Sequence, residues 1–84
     1  MKSTIKREFK KRLERDIHSS SSNYHKCQNA EWLLNDVNKM IDLLVLHSML
    51  TFPESVILKS DVNNICANTL IEKGIKINTV IEKE

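Results

Sequence analysis

Leu43-Leu44-Val45-Leu46-His47-Ser48-Met49-Leu50-Thr51-Phe52-Pro53-Glu54 is the stretch that decides the fold. Its first half is apolar almost without interruption, and its second half is a helix start. Thr51 is a good N-cap. Glu54 stands at the third helical position to complete a capping box, and Pro53 is tolerated in a first turn, where its missing N–H costs nothing. One helix therefore ends near Leu50 and another begins at once, which predicts an αα-hairpin.

Reading outward, the downstream helix places Leu58, Val62, Ile65, Cys66, Thr69 and Leu70 on one face. Gly74 stops it, with Ile75 set to pack back on Leu70 in a Schellman arrangement. Residues 75–84 read as a short extended tail. The upstream helix starts between Asn23 and Asn29, and its main face is Ala30, Leu33, Leu34, Val37, Met40, Ile41, Leu44 and Val45 at helical spacing. A second ridge, Trp32, Leu43, Leu46 and Leu50, lies on the other side. With Leu43–Leu50 apolar nearly all round, the segment is expected to be buried on two sides, under the first helix or a second copy of the chain. A homodimer through that ridge is the expectation.

At the N-terminal end, Ile5, Phe9, Leu13 and Ile17 recur every fourth residue, a narrow apolar stripe on a helix running from Ser3 to about Ile17. Ser3 or Thr4 suits its cap. Glu8 with Arg12 and Lys10 with Glu14 are spaced for i,i+4 pairing. Four serines, Ser19 to Ser22, then compete with the backbone for hydrogen bonds, so residues 19–23 are expected to be a flexible joint. The first helix either packs on the hairpin or swings free on that joint. The fold class is all-α: a basic N-terminal helix of residues 1–18, a helical hairpin of residues 24–74 and a short tail, in one small domain.

Composition agrees. One Gly, one Pro and four aromatics in 84 residues leave little for turns, and 40% hydrophobic residues suffice for one thin core. The start, Met1-Lys2-Ser3, leads into charge and not into an apolar signal segment, and no apolar run approaches a membrane span, so the expected location is cytoplasmic. Abundant Ile, Asn and Lys beside only two Ala suit an AT-rich gene of the kind phages and mobile elements carry.

Catalytic chemistry has no positive signal. One H-x-C, His25 to Cys27, is poor evidence for zinc, which favours paired ligands, and Cys27 and Cys66 read as small core hydrophobes. His47 reads as a histidine at the core edge. A single Gly provides no phosphate cradle. Neither an enzyme nor a cofactor is expected.

Charge is the informative feature. Residues 1–18 hold Lys2, Lys6, Arg7, Lys10, Lys11, Arg12 and Arg15 against Glu8, Glu14 and Asp16, seven cations to three acids and a net +4. Residues 19–84 hold six lysines against eight acids, a net −2. Arg7, Lys11 and Arg15 fall at i, i+4, i+8 opposite the apolar stripe, a line of about 12 Å. Stacked like charges weaken a helix slightly, so an anion facing them makes the arrangement easier to understand. Arginine's fork fits phosphate oxygens, and these seven residues point to RNA, bound by its backbone and without sequence preference, in a small regulator. A solvated charged face is the plainer reading. The rival function is an inhibitor or adaptor docking its apolar ridge on a host protein such as a nuclease or toxin. No aromatic of the first helix lies in its basic face, since Phe9 belongs to the stripe, so base stacking is not expected.

Overall fold

The computed structural model describes residues 1–75. They form three helices, α1 (Lys2–Ser19), α2 (Asn23–Leu46) and α3 (Phe52–Glu72), and no strand among the described residues. The extended-tail reading of residues 76–84 lies outside them. The chain runs up, down and up: Lys2, Lys6 and Lys10 of α1 meet Glu54, Asp61 and Glu72 of α3 in the same order, so these two helices are parallel, and α2 returns between them.

The α1 stripe does dock. Phe9, Leu13 and Ile17 are buried in one core with Ala30, Ile41, Leu50, Leu58, Val62, Cys66, Leu70 and Ile75. Full burial of each large aliphatic side chain is worth about 1.5–3 kcal/mol, so the α1 stripe, though narrow, is enough to hold the helix against the hairpin. It does not swing free.

The serine run is a hydrogen-bonded corner and not a flexible joint. Ser19 and Ser20 donate from Oγ to the Asp16 carbonyl at 3.2 and 2.7 Å, closing the end of α1. Ser20 Oγ also accepts from the Asn29 amide of α2 at 2.8 Å, and Ser22 caps α2 by accepting from the His25 N–H at 3.2 Å. The tendency of serine to bond nearby backbone does break the helix, but it does so by building a tight turn. At the other end of α1 neither Ser3 nor Thr4 is the cap. Met1 occupies that position without a side-chain bond.

The α2–α3 turn has the expected capping box. Thr51 Oγ1 accepts from the Glu54 N–H at 3.2 Å, and Glu54 Oε1 accepts from the Thr51 N–H at 2.9 Å. The Thr51 N–H bond to the carboxylate, with Lys2 Nζ at 3.1 Å and the Thr51 hydroxyl donating at 3.1 Å, holds the Glu54 carboxyl below the usual range. The C-terminus of α3 is the expected Schellman motif. Gly74 has φ +77°, its N–H donates to Ile71 O at 2.9 Å, and the Ile75 N–H donates to Leu70 O at 2.9 Å.

An unexpected second copy of that motif ends α2 at Leu46, four residues short of the expected boundary. Ser48 adopts φ +62°, the Ser48 N–H donates to Val45 O at 3.0 Å and the Met49 N–H donates to Leu44 O at 2.8 Å. A left-handed residue with a Cβ is costly, so serine gives no sign of this stop in the sequence. The early stop folds Leu50 inward to 6% exposure, which removes it from the outer ridge.

Candidate nucleic-acid interface

Seven cations on an 18-residue helix cannot share one face, and the fold divides them. Lys2, Lys6 and Lys10 lie along the edge of α1 that meets α3. Their Nζ atoms stand 3.1 Å from Glu54 Oε2, 3.4 Å from Asp61 Oδ2 and 3.6 Å from Glu72 Oε1. This ladder ties two parallel helices together, and each half-exposed pair is worth little individually.

The outer cations behave differently. Arg7 and Lys11 share Glu8 at 3.8 and 3.7 Å, and Arg12 pairs with Asp16 at 3.5 Å, all within α1. Arg15 is exposed and forms no ion pair among the described residues. The i,i+4 pairs expected from spacing, Glu8–Arg12 and Lys10–Glu14, are replaced by these, because Glu8 lies between Arg7 and Lys11 and Lys10 is drawn to α3. None of the four outer cations bridges to another helix among the described residues.

Tertiary structure adds an aromatic that the sequence reading did not bring to this surface. Trp32 of α2, 57% exposed, lines a shallow depression of about 320 Å³ together with Arg12, Asp16, Asn29, Leu33 and Asp36. No signal along α1 reveals it, since the two residues are twenty positions apart and meet only because α2 packs antiparallel on α1.

The second ridge does not exist as one surface. Trp32 is separated from Leu43 along the outer side of α2 by the exposed Asp36 and Lys39, and Leu50 is core. Leu43 and Leu46, the latter 74% exposed, instead sit at the α2–α3 corner with exposed Met49 and Phe52. The expected two-sided burial of Leu43–Leu50 is therefore not met within one chain. α1 packs on the opposite, inward side.

Other titratable groups serve local structure. His47 is the C-cap of α2, and the His25 ring shares a 2.7 Å hydrogen bond with Ser22 Oγ while meeting Tyr24 edge-on. Cys66 is core, and burial pushes its thiol up, with Cys27 nearby on α2 adding to the effect. Among the described residues no three His, Cys, Asp or Glu side chains gather as metal ligands would, and no helix is long and apolar enough to cross a membrane.

The class these observations define is an all-α, three-helix protein with a divided cationic helix. Comparison with known protein families, with curated proteins and with solved structures finds no match to this chain.

Proposed function

We propose that this protein is a small non-catalytic regulator that binds RNA by its phosphate backbone through the outer face of α1. The observation that carries the reading is the division of charge: Lys2, Lys6 and Lys10 bridge to α3, whereas Arg7, Lys11, Arg12 and Arg15 point outward and bridge to no other helix among the described residues. A bundle needs no cationic row that stabilises nothing beyond its own helix, and arginine's planar fork matches phosphate. Arg7 to Arg15 spans about 12 Å, enough for two or three phosphates. Trp32 beside Arg12 offers an exposed ring at the edge of the row on which an unpaired base can stack.

The test is a gel-shift titration with single-stranded RNA at two salt concentrations. Replacing Arg7, Lys11 and Arg15 together with Gln should abolish binding and leave helicity intact, because Gln is a good helix former. Each lost contact should flatten the slope of log affinity against log salt by about 0.7. Trp32 is the chain's one tryptophan, and its fluorescence reports the same titration. Equal binding by wild type and the triple variant overturns the reading.

A protein partner is the second reading, favoured by Leu46, Met49 and Phe52 standing exposed together at the α2–α3 corner. Association through that corner would hardly respond to salt, in contrast to phosphate binding.

A further inference from the structure

Arg12 stands apart from the other outer cations. Arg7, Lys11 and Arg15 form the row at i, i+4, i+8, whereas Arg12 lies on the α2 side and lines the depression that holds Trp32 and Asp36. That depression is not built for phosphate. It sets one cation, Arg12, against two acids, Asp16 and Asp36, so its charge is net negative.

One wall of it is held in place by the serine corner. Arg12 Nε meets Asp16 Oδ1 at 3.5 Å, Ser20 Oγ donates to the Asp16 carbonyl at 2.7 Å, and the Asn29 amide donates to Ser20 Oγ at 2.8 Å. A guanidinium has five N–H donors, so the terminal amino groups of Arg12 keep capacity beyond that pair. Asp36 lines the same depression, yet it is exposed and forms no ion pair among the described residues. A cation and an anion that share a depression without closing on each other leave room for a group between them. Trp32 is one turn from Asp36 on α2, with about 5–6 Å between their Cβ atoms, and its ring is 57% exposed.

We propose that this depression takes a guanine base of single-stranded RNA, an inference that rests on RNA binding by α1 and adds a base preference to it. Stacking on Trp32 suits any base. The polar groups are selective. A carboxylate only accepts hydrogen bonds, and guanine is the one RNA base whose Watson–Crick edge presents two adjacent donors, N1–H and the N2 amino group. Next to them lie O6 and then N7, the acceptor pair that arginine commonly meets. Asp36 on N1 and N2, with Arg12 on O6, therefore matches the order of groups along that edge. Adenine and cytosine set a ring-nitrogen lone pair against the carboxylate, and uracil flanks its one donor with two carbonyls. Each opposes acceptor to acceptor. The Arg7, Lys11 and Arg15 row fixes the adjoining phosphates, while the depression reads the base.

Gel shifts at one salt concentration test it, with a plain uridine run and the same run carrying a single central guanosine, adenosine, cytidine or inosine. The wild type should bind the guanosine oligonucleotide about tenfold more tightly than the others, the discrimination of one good bidentate contact. Inosine lacks the N2 amino group and should lose most of that gain. Asp36→Asn should remove the guanosine preference and bind the plain run no less well, because one acid has left the surface. Trp32→Leu should weaken binding of every oligonucleotide. Circular dichroism checks that both variants fold. Equal wild-type affinity for all the oligonucleotides overturns the guanine site and leaves backbone binding standing. A wild type that binds none of them overturns both. A guanosine preference that survives Asp36→Asn unchanged also overturns the guanine site.

Discussion

The outer faces of α1 and α3 belong to neighbouring parallel helices and are equally open to water, yet one carries Arg7, Lys11, Arg12 and Arg15 and the other carries no charge from Phe52 to Ile71. The cause lies between them. The three acids of α3 pair with the inner lysines of α1, so from Phe52 to Ile71 no exposed residue of α3 is charged, while α1 keeps a surplus. Exposure alone therefore says little about a surface. What matters is which charges the fold has already paired.

The largest effect that sharpens this comparison comes from the buried side of α1. Leu13 is fully buried, and Leu13→Ala should destabilise the protein by about 3–4 kcal/mol through lost burial and the cavity left behind. Urea unfolding followed by circular dichroism measures it. A loss below about 1 kcal/mol, the level of a surface change, would mean that α1 is not docked and that its two charged edges are equivalent.

A smaller effect separates the two charged edges directly. Lys2, Lys6 and Lys10 replaced together by Gln should cost about 1 kcal/mol in all, the sum of modest exposed pairs, and should spare RNA binding. The Arg7, Lys11 and Arg15 set should do the reverse. Acid adds a finer reading. The folded state holds the Glu54 carboxyl low, so its contribution is present above the ordinary glutamate range and is lost as pH falls through its depressed folded value. Lys2→Gln removes one cause of that depression and should move the acid loss upward in pH. An acid melt identical for wild type and Lys2→Gln would break the link between the ladder and the capping box.

The smallest effect tests the two Schellman turns at the ends of α2 and α3. Gly74 adopts its positive φ with nothing near the position a Cβ would take, so glycine is there for the backbone angle and not for space. Ser48 adopts the same region with a side chain. Ser48→Gly should stabilise the protein by about 0.5–1 kcal/mol, relief of left-handed strain offset in part by the greater freedom of glycine in the unfolded chain. Thermal melting that shows a loss would place the end of α2 elsewhere.

Local chemistry determined much of this protein in advance. Three helices, the apolar stripe of α1, the inward faces of α2 and α3, the Thr51–Glu54 box and the Gly74 stop all follow from periodicity and from residues whose backbone preferences are strong and short-ranged. The concentration of cations near the N-terminus is equally plain. The end of α2 is not legible at Ser48, because serine has no special claim on a left-handed angle, and the early stop is what turns Leu50 from the outer side of α2 into the core. Only the tertiary structure decided which cations are spent on α3, that Trp32 stands beside Arg12, and that α3 turns an uncharged face outward. Those properties depend on pairs far apart in the chain, Lys6 with Asp61 or Arg12 with Trp32, and the partner of a long flexible side chain is set by which helices pack together, not by its own neighbours in sequence.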